Sequence, residues 1–144
     1  MRILFSIVTV ILLLGEPTMA NDLRQNAKPL SVPEAMRSQL IVVAQFQSLT
    51  SGSDTATYKV TRIFRCMVSK KFRPGDTITV RSDYSKHPYA ESPPKAGTAE
   101  LLFLHEAKPN SGIFVTLAGA FGRWPPNDGN IKLVEMSSSF FDSK

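Results

Sequence analysis

The chain has 144 residues, a formal net charge of +5 at pH 7 and one cysteine. This length suffices for one domain with its own core and is too short for several. A single cysteine excludes a framework of internal disulfides. The scattered positive charge suits acidic partners such as nucleic acid, anionic glycans or lipid headgroups, although an ordinary solvated surface explains it more simply.

The first twenty residues have the three parts of a secretory signal peptide. Arg2 supplies the positive charge, Ile3 to Leu14 form an apolar run, and Thr18-Met19-Ala20 is a small-residue cleavage site. The run falls short of the roughly 20 apolar residues that span a bilayer, which argues against an uncleaved anchor. We therefore expect cleavage between Ala20 and Asn21 and no transmembrane segment in the mature chain. One cysteine in an exported domain favours a bacterial periplasm or exterior over a eukaryotic secretory pathway.

The chain after the signal peptide divides into three parts. Residues 21–37 are predicted to be a polar leader and a short helix, because Ser31 and Glu34 have capping-box spacing and Pro33 suits a first turn. That helix is expected to end near Gln39. Residues 38–135 carry the strand patterns of the predicted domain, and the Ser-rich residues 136–144 are predicted to be a flexible tail.

Thr55 to Arg65 is the clearest strand of the sequence. Ala56, Tyr58 and Val60 fall on one face and polar residues on the other, as in a half-buried strand. The alternation slips at Arg62–Ile63. This slip predicts a bulge, or a strand end that is covered on both faces.

Five other strands are predicted from apolar patterns between turn signals: Leu40–Leu49, Asp76–Arg81, Thr98–His105, Ile113–Ala120 and Ile131–Glu135. The unbroken run Leu101–Leu104 indicates a strand that is buried on both faces. No segment has the length and period of a crossover helix. The sequence therefore predicts an all-β barrel or sandwich.

Several of these segments follow one another in a familiar order: Leu40–Phe46, Tyr58–Val60 with Ile63–Arg65, Gly75–Arg81, Gly97 with Leu101–Leu104, and Asp128-Gly129 before Ile131. This order resembles the OB-fold domains related to tissue inhibitors of metalloproteinases and netrin modules, in a cysteine-poor bacterial form. The resemblance implies a small closed or partly open antiparallel barrel of five to six strands with a short N-terminal helix. The animal inhibitors chelate zinc through an N-terminal cysteine, whereas Asn21 is the predicted mature end here. Their inhibitory mechanism therefore does not carry over.

The candidate contact residues lie in two irregular stretches. Ser82 to Gly97 is the longest, and a loop of this length in a compact domain is either functional or mobile. It contains Tyr84, His87 and Tyr89. The second stretch contains Arg123 and Trp124 before two prolines, where Trp124 either anchors a partner or caps a turn.

The sequence contains no recognisable constellation for catalysis, metal binding or cofactor binding. His87 and Cys66 stand alone, whereas a zinc site needs three or four closely spaced ligands. Phosphate-binding and dinucleotide-binding fingerprints are absent from the sequence. We therefore predict no metal and no cofactor.

These observations predict an exported, non-enzymatic binding module whose partner is a protein or an envelope component. Three alternatives stay open: a small periplasmic enzyme using His87 or Cys66, an OB domain for single-stranded nucleic acid or anionic glycan, and a purely structural envelope protein. Nucleic acid is disfavoured because export removes the usual substrate, and because Tyr58 and Phe64 suit a core better than a stacking platform. The sequence leaves open the oligomeric state and any pairing of Cys66 between chains.

Overall fold

The computed structural model describes residues 30–50, 54–81, 93–117 and 119–141, without the side chains of residues 120, 121 and 141. The elements follow one another as α1 (Val32–Ala35), β1 (Leu40–Leu49), β2 (Thr55–Cys66), β3 (Thr77–Arg81), β4 (Ala99–Glu106), β5 (Ile113–Thr116), a 3-10 turn (Gly119–Gly122), β6 (Arg123–Trp124) and α2 (Asp128–Phe141).

The first five strands close into a barrel in the order β1-β2-β3-β5-β4, with β4 paired back to β1. A closed ring of five strands cannot alternate in direction all the way round, so one neighbouring pair must run parallel. That pair is β3 and β5, where Thr79 stands opposite Ile113 and Arg81 opposite Val115. Every other ladder is antiparallel, including that of the two-residue β6 on β4. The predicted all-β, OB-like barrel is confirmed, with this one parallel ladder.

Two of the three irregularities in the β1–β2 ladder explain why the alternation of β2 slips. Opposite β1, the register skips Thr61 and then Phe64, so that Val42 pairs with Ile63 and Val43 with Arg62. The Thr61 hydroxyl donates a hydrogen bond to the Val43 carbonyl at 3.0 Å beside the first irregularity. The predicted bulge is confirmed, and it consists of two register shifts that flank Arg62–Ile63. Bulges of this kind bend a strand, as barrel closure requires.

The interior of the barrel is an apolar cluster to which all five strands contribute. Its buried members are Leu40, Val42, Ala44, Phe46, Ala56, Tyr58, Val60, Val68, Phe72, Ile78, Val80, Leu102, Leu104 and Phe114. The predicted inward face of β2 is therefore correct. We call this set the inner cluster.

A second apolar cluster covers the outside of β1 and β4. Its buried members are Ala35, Met36, Ile41, Val43, Leu101, Phe103 and Val134, with Phe64, Trp124 and Ile131 among the partly buried residues packed against them. Because alternate residues of β1 and β4 face the two clusters, both strands are buried on both sides. This outer cluster confirms the prediction made from the unbroken run Leu101–Leu104.

The strand predicted at Ile131–Glu135 is wrong, because these residues lie in α2. Residues 136–141, expected to belong to a flexible tail, continue the same helix. Asn127 caps it, since its side-chain oxygen accepts a hydrogen bond from the Asn130 amide at 2.9 Å. Ile131 and Val134 then fall on one helical face and pack on the outer cluster. Asp128 and Gly129, which precede Ile131, form the first turn of this helix.

Helix α1 is shorter than predicted and ends at Ala35 rather than near Gln39. The expected pairing of Ser31 with Glu34 is present: the Ser31 amide donates to the Glu34 carboxylate at 3.0 Å. Ala35 and Met36 are buried in the outer cluster. The short helix therefore covers part of β1 rather than standing free of the barrel.

Candidate functional site

Three of the predicted contact residues, Tyr84, His87 and Tyr89, lie outside the described residues, as do the cleavage-site residues Ala20 and Asn21. The connection from β3 to β4 is described again from residue 93. Its end is fixed to the barrel, because the Gly97 amide donates to the Phe46 carbonyl at 2.7 Å and the Phe46 amide to the Thr98 carbonyl at 2.9 Å. Gly97 has φ of 88°, which glycine adopts without strain.

The topology gives the β3–β4 connection a structural purpose. In the ring, β5 lies between β3 and β4, so the chain must pass from Arg81 to Ala99 without using the neighbouring position. A short hairpin cannot make this step. The length of Ser82–Gly97 therefore has a topological cause, whatever its side chains contact.

Trp124 occupies a defined place on the outer face of β4. It stands opposite Leu101 in the β4–β6 ladder, and its ring lies 4.6 Å from that of Phe103, centroid to centroid, at 61°. Trp124 is half-buried in the outer cluster. Edge-to-face packing of this kind holds the indole in one orientation while its remaining surface faces solvent.

Arg123 and the residues after Trp124 complete this side of the molecule. Arg123 is half-buried and stands opposite Leu102. The Asn130 side chain donates to the Pro125 carbonyl at 2.8 Å, which ties the start of α2 to the segment that follows β6. The predicted Arg123–Gly129 turn is thus a strand, a proline-containing link and the first turn of a helix.

The end of the barrel nearest the β3–β4 connection contains a polar pair. The Tyr58 hydroxyl donates to the Glu100 carboxylate at 2.8 Å, and Tyr58 itself is fully buried. Its ring packs edge-to-face on Phe46, with centroids 5.5 Å apart. A buried tyrosine hydroxyl requires such a partner. Tyr58 is therefore a core residue, as the sequence predicted.

Cys66 and His105 are the described cysteine and histidine, residue types that can serve as nucleophile and base in catalysis. Cys66 packs against the inner cluster, and its thiol lies 3.5 Å from the Lys70 carbonyl. His105 follows Leu104, an inner-cluster residue, so strand alternation directs its side chain to the outer face. The two side chains lie on opposite sides of the barrel wall and do not form a nucleophile–base pair.

Five cations in β2 and the following segment separate into two groups: Arg62 with Arg65, and Lys70, Lys71 and Arg73. Arg62 forms an ion pair with Glu135 of α2, and Arg65 donates a hydrogen bond to the Met36 carbonyl. Lys70, Lys71 and Arg73 are exposed. The last three lie together on an exposed segment.

Among the described residues, no three His, Cys, Asp or Glu side chains gather closely enough to hold a metal ion. Over the same part of the chain, no helix combines the length and apolar character needed to cross a bilayer.

The comparisons with known proteins give no family: no protein-family model matches the chain, and no curated protein matches it. The class of the protein therefore rests on strand topology alone, and it is an all-β, OB-like barrel with outer helices.

Proposed function

We propose that the chain is an exported, non-catalytic binding module. Its contact surface would combine residues 82–97 with the segment Arg123–Gly129, and its partner would be a protein or an envelope component. The observation that carries this proposal is the attachment of both segments to the same half of β4. Thr98 precedes β4 and is bonded to Phe46, while Trp124 pairs with Leu101 on the other edge.

This arrangement suits binding because the scaffold beneath both segments is rigid. The first half of β4 is paired to β1 on one edge and to β6 on the other, and Leu101 and Phe103 are fully buried. Contact residues on irregular segments supported by such strands are held in place at little entropic cost. A partly exposed tryptophan lies beside them, and tryptophan is among the residue types most enriched at binding hot spots.

The family resemblance is a separate hypothesis. Kinship with the tissue-inhibitor and netrin-like domains would explain a five-stranded OB-like ring, but many unrelated families share that barrel. We therefore derive the proposed function from the surface and not from the family.

Replacement of residues 84–94 by a Gly/Ser linker of equal length tests the contact surface. Equal length matters, because this connection must reach from β3 to β4. The variant should keep the circular dichroism spectrum of the parent and lose the partner in affinity capture from envelope extracts. The matched control changes Leu133 and Phe140 on α2 to serine, since both are exposed and distant in sequence. Capture lost in the control and kept in the linker variant would place the contact surface on α2 instead.

Export is tested by mass spectrometry of the protein recovered from a bacterial host. A mature N-terminus at Asn21 in the periplasmic or extracellular fraction is the expected result. An intact N-terminus in the cytoplasmic fraction would contradict export. The proposal that the chain is a binding module would then stand without it.

A further inference from the structure

The segment between β2 and β3 closes the barrel at the end opposite Gly97, where the β3–β4 connection returns to the barrel. Val68 and Phe72 are 5% and 8% exposed and belong to the inner cluster, and Phe72 packs edge-to-face on Phe114 with centroids 5.7 Å apart. We call residues 67–73 the plug segment. Its attachment is firm, because the Met67 amide also donates to the Gln39 carbonyl at 2.7 Å.

Because two side chains of the plug segment point into the barrel, the other five face solvent. Met67, Ser69, Lys70, Lys71 and Arg73 are all exposed. The Lys70 ammonium lies 5.0 Å from the centre of the Phe72 ring, so its aliphatic stem covers the plug while its charge remains at the surface. The outward face of the plug segment therefore carries three cations and no acid.

The acidic side chains beside the plug segment offset only part of this charge. Asp76 accepts a hydrogen bond from the Arg73 amide at 2.8 Å, and Glu106 accepts one from the Asn110 amide at 3.4 Å. Two further exposed cations, Arg37 and Lys108, belong to the same end, since Gln39 bonds both Met67 and Leu104. Within the described residues this end of the barrel is basic.

Met67 gives the basic surface an apolar centre. Its side chain is 68% exposed, whereas the apolar residues on either side in the chain pack on the inner cluster. A flexible apolar side chain among lysines and arginines is typical of proteins that rest on an anionic lipid surface, with the cations at the phosphates and the apolar group below them.

The aromatic content of the plug segment distinguishes this partner from nucleic acid. Binding of single strands relies on aromatic side chains that stack on bases. Phe72 is the aromatic residue of the segment, and it is buried beneath the lysines. The available groups match phosphate charge together with an apolar layer.

We propose that the plug segment binds the surface of an anionic phospholipid bilayer through Lys70, Lys71 and Arg73, with Met67 inserted below the phosphates. This goes beyond the proposed function, because it uses residues outside the proposed contact surface. A protein bound in this way would present Gly97, where the β3–β4 connection returns to the barrel, away from the bilayer. The ends are opposite because β1 runs from Leu40, beside Cys66, to Phe46, beside Gly97.

Sedimentation with vesicles tests the proposal on the purified chain whose N-terminus has been established. We expect binding to vesicles of phosphatidylcholine mixed with phosphatidylglycerol, and little to phosphatidylcholine alone. Binding should be lost at 1 M salt, where the screening length is about 3 Å. The triple variant K70Q/K71Q/R73Q should bind about a hundredfold more weakly, since each cation at an anionic surface contributes about fivefold.

The matched control is R81Q/K95Q/K132Q, which removes three exposed cations outside the plug segment. It should weaken binding by less than about threefold, because Arg81 and Lys95 lie at the end of the barrel opposite the plug segment and Lys132 lies on α2. Met67→Ser should weaken binding several-fold and Met67→Leu should restore it. Unchanged circular dichroism spectra show that the variants are folded.

Three results would overturn the proposal. Equal loss in the two triple variants would reduce it to a general effect of net charge. Full binding by K70Q/K71Q/R73Q would assign any vesicle binding to another surface, such as Leu133 and Phe140. Loss of oligonucleotide binding in that variant, with vesicle binding absent throughout, would identify nucleic acid as the partner. Partner capture through residues 84–94 should be unaffected by K70Q/K71Q/R73Q, so the two proposals fail separately.

Discussion

The inner and outer clusters are built from the same two strands but are covered in different ways. The inner cluster is enclosed by the ring of β1 to β5 and by the plug segment, and its strand side chains are almost fully buried. The outer cluster lies on β1 and β4 and is covered by α1, α2 and Trp124, which is half-buried. Burial inside the ring follows from barrel closure, whereas burial outside depends on the docking of two helices. The inner cluster should therefore dominate stability.

The largest effect is expected from Phe114→Ala. Phe114 is 1% exposed and packs on Phe72, so its loss leaves a cavity where β5 meets the plug segment. We expect the free energy of unfolding to fall by about 3–5 kcal/mol in urea denaturation. Phe140→Ala is the control, since Phe140 is 77% exposed and should change stability by less than about 0.5 kcal/mol. Similar effects of the two variants would contradict closure of the barrel around Phe114.

Trp124→Ala tests the outer cluster and should cost less. Its ring packs on Phe103 but is only half-buried, so we expect a loss of about 2 kcal/mol, below the 3–5 kcal/mol typical of buried aromatics. Trp124→Phe should recover part of the loss, because a smaller ring can still pack edge-to-face. A loss equal to that of Phe114→Ala would show that the two clusters contribute alike and would remove the contrast.

Asn127→Ala tests how firmly α2 is held on the outer cluster. Removal of the cap that accepts the Asn130 amide should destabilise the helix by about 1 kcal/mol. Asn127→Asp should retain the cap. In Asn127→Ala, hydrogen exchange should be faster in α2 and unchanged in β2. Faster exchange across both regions would mean that helix and barrel open as one unit.

The ion pair between Arg62 and Glu135 should contribute least. Its side chains are 51% and 46% exposed, and pairs of this kind contribute about 0.2–1 kcal/mol. A double-mutant cycle with Arg62→Ala and Glu135→Ala measures the coupling. The guanidinium also lies over the Phe64 ring at 4.6 Å, so Arg62→Ala alone should cost more than the coupling. A coupling well above 1 kcal/mol would make α2 an integral part of the barrel.

Strand positions were predictable where burial on one or both faces left a clear pattern. Tyr58 and Val60 show the period of a half-buried strand, and Leu101–Leu104 show the run of a fully buried one. Ile131–Glu135 were misassigned because five residues with three apolar positions fit either period. The distinguishing signal was the cap at Asn127 followed by Ile131 and Val134, three residues apart. The parallel ladder follows from ring closure and is not contained in any local pattern.

The candidate site was harder to predict because surface residues carry no periodic signal. Trp124 was identified from its residue type, and its packing on Phe103 depends on a strand pairing between residues far apart in sequence. The exposure of Met67 was not predicted, because an apolar residue directly after a strand is expected to pack in the core. Val68 and Phe72 are the residues of the plug segment that pack in the barrel, while the Met67 side chain is exposed.

The short strand β5 determines where the barrel can open and let water reach the inner cluster. It is joined to β3 through Thr79–Arg81 and to β4 through Leu104–Glu106, with three residue pairs on each side. The two ladders that hold β5 have the fewest residue pairs of any in the ring, so parting β5 from one neighbour opens the barrel at its weakest ladder and leaves a curled, open sheet. Local opening of the barrel should therefore begin at β5 and expose Phe114 to solvent.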